Sequence, residues 1–105
     1  MFKAMIMLTR RADMSHEEFT RWWLDEHVPL ASALPNVRKV ILNVVDVGYD
    51  EAGFDGISEL WFDSQDAFEQ AYASEVGQRT AADSMAHVSG RVRVFVSENE
   101  FAGRP

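Results

Sequence analysis

Apolar residues fall along this chain in four short runs separated by two stretches of helical spacing. Phe2 to Thr9 reads FKAMIMLT, nearly all apolar and followed by Arg10 and Arg11, which predicts a buried strand. Val37 to Val47 (VRKVILNVVDV), Ile57 to Phe62 (ISELWF) and Arg91 to Ser97 (RVRVFVS) are rich in β-branched and aromatic residues and predict three more. Between the first two runs the apolar spacing is helical from His16 to about Leu34. Ser15 and Glu18 have the S-x-x-E spacing of a capping box, in which each side chain satisfies a free backbone N–H at the helix start. Pro29 lies inside this stretch and lacks a backbone donor, so a kink or break is expected there; Pro35 and Asn36 end the helix. Gly48 to Gly56 reads as a loop. Ser64 caps a second helix from Gln65 to about Ser74, which Gly77 is expected to interrupt before a further helical segment from Gln78 to about Val88.

The resulting order, β-α-β-β-α-β, is the split arrangement of ferredoxin-like α+β folds: a four-stranded antiparallel sheet with two helices on one face. A sheet with its other face in water should alternate apolar and polar residues. These strands do not. Ala4 to Leu8 are consecutively apolar, as are Val40, Ile41 and Leu42, and Leu60, Trp61 and Phe62. Helices cover only one face, so the pattern predicts a second cover. The simplest is the same sheet of a second copy, giving a closed homodimer; the plainer alternative is a monomer with an apolar sheet face.

Composition narrows the partners. The 105 residues allow one domain spanning 1–105, with a core modest enough that association would help to stabilise it. A formal net charge of −7 has the wrong sign for nucleic acid. No apolar run approaches the ~20 residues of a membrane span, and the two arginines follow the first apolar run, unlike a signal peptide. The absence of cysteine excludes disulfides and thiolate metal sites and fits a cytoplasmic setting.

The candidate chemistry lies mostly on the first helix. Drawn as a straight wheel, it carries Phe19, Trp22, Trp23, Leu30 and Leu34 on one face, with Glu26 near the middle and His27 at the edge. An ionisable group beside indoles loses water, which favours its neutral form and brings an acid or base into the neutral pH range. Two readings stand for each group. Glu26 is a tuned carboxyl, or it reaches the rim to pair with Arg38, Arg91 or Arg93. His27 is an acid/base, or a hydrogen-bonded structural residue. Glu59 shares a strand face with Ile57 and Trp61, opposite Ser58, Leu60 and Phe62, as a buried carboxyl or a rim ion pair with a strand arginine. Asp83 faces either the sheet or water. His16 is expected to be solvated, and His87 to complement a helix C-terminus. No His pair has metal-site spacing, and no dinucleotide, P-loop or serine-hydrolase motif occurs, so no metal and no cofactor are expected.

The stretch MSHEEFTRWWLDEHVPLASALPNVRK resembles the signature of the EthD family, within the dimeric α+β barrel superfamily. The matching residues are Ser15, Glu17, Glu18, Phe19, Trp22, Trp23, His27, Pro29, Leu30 and Pro35. Phe54 to Phe68, FDGISELWFDSQDAF, is similar to a second family segment, and Asp83 stands where the family carries an aspartate. The resemblance covers nearly the whole chain. It implies a ferredoxin-like protomer whose sheet pairs with its twin, and a His27 equivalent that is the family's usual candidate acid or base. Relatives include cofactor-free isomerases, cyclases and dehydratases, and the namesake resembles an accessory protein of alkyl-ether degradation. Many relatives carry Tyr-Trp where this chain has Trp22-Trp23, so a role needing a tyrosine hydroxyl there is unavailable.

Three functions follow as expectations. In the first, His27 moves a proton on a small hydrophobic carbonyl, lactone or aromatic metabolite. Glu26, Glu59 or Asp83 assists, and Trp22, Trp23, Leu30, Trp61 and Phe62 form a dry pocket. In the second, the same pocket holds a metabolite for a partner oxygenase without catalysis. The third is a haem monooxygenase with His87 as axial ligand near Trp61.

Overall fold

The computed structural model describes residues 1–46 and 53–103. The elements run β1 (Phe2–Arg10), α1 (His16–Trp22), a π-helical turn (Trp23–His27), α2 (Val28–Ser32), β2 (Lys39–Val44), β3 (Gly56–Phe62), α3 (Gln65–Ala73), α4 (Glu75–His87) and β4 (Val88–Val96). The strands form one sheet in the order β2-β3-β1-β4, every neighbouring pair antiparallel. The helices pack on one face, which is the ferredoxin-like arrangement. The second strand is shorter than its apolar run suggests, and Val47 and residues 48–52 of the expected loop lie outside the described residues. Gly56 opens β3 instead of closing that loop. Among the described residues no helix is long and apolar enough to cross a membrane.

Register explains the consecutive apolar residues. Ala4 sits opposite Leu60 and Phe95, Ile6 opposite Ser58 and Arg93, and Leu8 opposite Gly56 and Arg91. This row faces the helices, where Ala4, Ile6, Leu8 and Leu60 join Phe19, Trp22, Trp23, Leu34 and Phe68 in the core. The intervening residues face the other way. Met5 lies between Glu59 and Val94, and Met7 between Ile57 and Val92. Among the described residues no helix covers that face, and Val92 and Val94 remain 45% and 42% exposed.

The first helical stretch starts as its sequence dictates. The Ser15 hydroxyl oxygen accepts the Glu18 backbone N–H at 3.0 Å, and the Glu18 carboxylate accepts that of Ser15 at 2.9 Å. Pro29 acts differently from the expected kink. In a regular α-helix its ring would crowd the carbonyl of Asp25, and the donor to that carbonyl would be missing. The chain widens just before it instead: the Val28 N–H donates to the Trp23 carbonyl, five residues back. A π turn adds one residue to the turn, so every later position lags by roughly 100° behind a straight wheel. His27 therefore occupies the inward position a straight helix gives to Glu26. His27 is 6% exposed, whereas Glu26 points to solvent. Ala31 is buried in the same way where Leu30 was expected, and Leu30 is only half-buried.

A second correction concerns Gly77. The interruption falls at Ser74, in extended backbone between α3 and α4, whose hydroxyl caps α4 by accepting the Gly77 N–H at 3.0 Å. Gly77 lies within α4, where a Cβ would come within 2.1 Å of the Ala71 carbonyl oxygen, so it permits the two helices to meet. Gly56 serves Trp23 similarly, since a Cβ there would lie 2.5 Å from the indole ring.

Asp55 joins the ends of three elements. Its buried carboxylate accepts from the Arg10 backbone N–H at 2.8 Å and the Arg10 guanidinium at 2.7 Å, and lies 2.8 Å from His16 Nδ1. His16 is thus held in place and is not a free solvated residue. Burial alone would push the Asp55 carboxyl up, but these bonds more than offset it and hold it below its ordinary value.

Candidate active site

The π turn brings His27 to face α4. Its Nδ1 lies 2.9 Å from Asp83 Oδ2, and the Trp22 indole N–H donates to the same oxygen at 3.2 Å. An indole N–H can only donate, so Asp83 Oδ2 is an acceptor. The proton of the neutral imidazole therefore sits on Nδ1, and Nε2 carries a lone pair that faces the Ser84 hydroxyl. Ser84 Oγ, one residue beyond Asp83, lies 3.4 Å from Nε2. His87 completes the cluster: its ring stacks on Trp22 at 4.2 Å and 17°, and its Nδ1 donates to the Asp83 backbone carbonyl at 2.7 Å.

His27 lines an interior cavity of about 20 Å³, room for a single water. Ile6, Leu8, Trp23 and Leu60 make its apolar wall; Ser58, Tyr72, Ser84 and Arg91 add polar groups. Burial pushes the His27 imidazole below its usual value, the adjacent Asp83 carboxylate opposes this, and the net direction is down. The imidazole is thus neutral at pH 7, with its basic nitrogen in a mostly apolar enclosure.

The other expected site residues are dispersed. Glu26 lies in solvent, for the reason of the π turn. Glu59 and Trp61 are on the uncovered sheet face, separated from His27 by the sheet itself. Glu59 pairs there with Lys3 at 2.7 Å and accepts from Asn43 at 3.0 Å, while the Trp61 indole donates to Glu98. The ion pair comes from a lysine, not a strand arginine, and Glu59 cannot orient His27. Trp22 is buried behind Asp83, Leu30 is half-buried away from the cavity, and Phe62 packs edge-on against Phe68 in the core. Of the five expected pocket residues only Trp23 lines the cavity. His87 lies against Trp22 on the helix side, not near Trp61 as the haem reading expects. Among the described residues no group of three histidine or acidic side chains could hold a metal ion.

Tyr72, Ser84 and Arg91 were not anticipated. A signal for Arg91 was present in RVRV: alternation puts both arginines on one face of β4 and both valines on the other, and the valines belong with the apolar uncovered face.

The model of the EthD domain matches residues 11–90. The chain belongs to the EthD family. A relative of this EthD protein, an uncharacterized 11.0 kDa protein of the thcB-thcC intergenic region of Rhodococcus erythropolis, is 28% identical over 102 residues, covering 95% of this chain and 96% of the relative. An ethyl tert-butyl ether d (EthD) family protein from Bacillus halodurans superposes with a TM-score of 0.77 at 20% identity, over 94% of this chain and 100% of that one. A dimeric ferredoxin-like protein of unknown function from Thermobifida fusca gives 0.73 at 13% identity, over 92% and 90%. SnoaB from Streptomyces nogalater, a cofactor-independent oxygenase, gives 0.70 at 13% identity, over 98% and 97%. At these identities the structural likenesses establish the fold alone.

The buried imidazole makes a pH prediction. Because its folded value lies below the ordinary 6.5, the unfolded chain takes up a proton that the folded one refuses. Stability from this group is complete above about pH 6.5 and declines as pH falls from there through the folded value. An NMR titration of the EthD protein should find His27 below 6.5, and lower still in Asp83→Asn, where the opposing negative charge is gone. A His27 value above 6.5 in the folded protein would contradict the burial argument.

Proposed function

We propose that this EthD protein is a homodimeric, cofactor-independent enzyme of the proton-transfer type, an isomerase, cyclase or dehydratase. Its substrate is a small carbonyl, lactone or aromatic metabolite, and His27 is the acid/base. The observation that carries this reading is the 2.9 Å contact between His27 Nδ1 and Asp83 Oδ2. That contact leaves Nε2 unprotonated; once a substrate displaces the long 3.4 Å contact with the Ser84 hydroxyl, Nε2 can take a proton from carbon next to a carbonyl. As the imidazolium forms, its new charge lies beside the Asp83 carboxylate, which stabilises it and holds the ring in orientation. Returning the proton to another carbon isomerises the substrate; delivering it to a departing oxygen dehydrates it. The apolar wall keeps bulk water from competing for the proton. Since the cavity holds about one water, a substrate enters by parting the side chains around it. SnoaB, described as cofactor-independent, supports the compatibility of this fold with chemistry that needs no added group.

A non-catalytic carrier for an oxygenase would use the same cavity but would need neither a fixed imidazole tautomer nor a partner carboxylate. Incubating the protein with a panel of small lactones and enolisable aromatic ketones, followed by mass spectrometry, separates the two. Converted material supports the enzyme, and ligand recovered unchanged supports the carrier. On a converted substrate, His27→Ala should lower turnover by about 10²–10⁴-fold while the fold is retained. A folded His27→Ala protein with full turnover would eliminate the mechanism.

The homodimer rests on the uncovered face, where Met5, Met7, Ile41, Ile57, Val92 and Val94 present apolar side chains. It is supported by a dimeric neighbour of the same fold. Sedimentation velocity should return dimers at micromolar concentration, and Val94→Glu, which puts a charge into that face, should shift the protein toward monomer. A wild-type protein that sediments as a monomer there would refute the dimer.

A further inference from the structure

Beyond the proton-transfer residues, the cavity holds a cation that the mechanism does not use. Arg91 lines it from β4, on the sheet side, while His27 lines it from the helix side. Among the described residues Arg91 is the one lysine or arginine on the cavity wall. No hydrogen bond or ion pair to another described residue holds it. Lys3, Arg10, Arg11 and Arg38 are paired with carboxylates, and of the described cations without such a partner Arg91 is the one that lines the cavity. The groups that act on Arg91 electrostatically are Tyr72 and Arg93. Arg93 lies two residues along on the same face, spread over the rings of Phe68 and Phe95 at 5.5 and 5.1 Å, and it repels Arg91. Tyr72 also lines the cavity, and its hydroxyl donates to no other described residue.

Two uncommitted donors, one carrying a full charge, therefore share a cavity with an acceptor nitrogen. A partly desolvated guanidinium beside a like charge is costly to keep in the empty state. A ligand with a formal negative charge before reaction relieves that cost, and the planar fork of a guanidinium matches the two oxygens of a carboxylate. Burial lowers the Arg91 value from its usual one, in keeping with a cation short of water, although a guanidinium stays charged at any working pH.

We infer that the cavity selects a small organic acid, whose carboxylate is bound by Arg91 with the Tyr72 hydroxyl as a second donor, leaving its reactive carbon toward His27. This rests on the reading of the cavity as a substrate site and narrows the substrate class: the metabolite is apolar over most of its surface but carries a carboxylate. Arg91 is a specificity residue; it moves no proton.

Binding tests this without turnover. Benzoate and benzamide have the same size and shape and differ in charge, and Trp23 on the cavity wall reports occupancy through its fluorescence. The protein should bind benzoate about tenfold or more tightly than benzamide, the scale of one charge-assisted hydrogen-bonded contact. Arg91→Gln should remove that preference by weakening benzoate while leaving benzamide unchanged, and Arg91→Lys should keep part of it. His27→Ala should keep the preference in full, so a failure of the proton-transfer mechanism would leave this result standing. Equal affinity for benzoate and benzamide in the wild-type protein, no benzoate binding at millimolar concentration, or an Arg91→Gln protein with unchanged benzoate affinity would each overturn the inference. The wild-type comparison holds even if a variant does not fold.

Discussion

A proline within a helix removes a backbone donor and crowds the carbonyl four residues earlier, at a cost of about 3 kcal/mol if the helix stays regular. In this chain the backbone avoids that cost by widening into a π turn over Trp23–His27, immediately before Pro29. The consequence is rotational. One extra residue in the turn moves Glu26 into solvent and His27 under the helix layer, where Asp83 meets it. Without that turn a carboxylate, not an imidazole, would face α4, and two acidic groups would oppose each other in a nearly dry space. The dyad, the cavity wall and the orientation of α2 all follow from this local choice.

Two opposing effects then set the state of the imidazole. Burial favours the neutral ring and the Asp83 carboxylate favours the charged one; burial prevails. The outcome is a base that is available at neutral pH yet stands beside the group that stabilises its protonated form. Trp22 matters because its indole N–H shares the accepting oxygen with His27, and its face stacks on His87. An indole thus supplies the second donor to the carboxylate.

Much of the architecture was legible in the sequence. The capping box at Ser15, the four strands and the unbroken apolar runs pointed to a ferredoxin-like sheet with a second apolar face. Alternation also separated Ile57, Glu59 and Trp61 from Ser58, Leu60 and Phe62, but both sets contain large apolar residues, so it could not say which set meets the helices. The site was less legible. A helical wheel advances by a constant angle and has no place for a π turn, so it exchanged Glu26 with His27 and Leu30 with Ala31. Asp83 lay on an amphipathic helix whose phase was fixed only by packing. Arg91 was signalled only by the alternation in RVRV, and a charged residue in an edge strand ordinarily means solvent, whereas here it faces the helices.

The central claim is that Asp83 holds His27 as a neutral imidazole with its proton on Nδ1 and its lone pair on Nε2. Long-range proton–nitrogen NMR correlation on uniformly ¹⁵N-labelled protein at pH 7 reads this directly, because protonated and bare ring nitrogens resonate far apart. The account predicts a protonated Nδ1 and a bare Nε2 for His27. A proton found on Nε2 alone, or on both nitrogens, would contradict it.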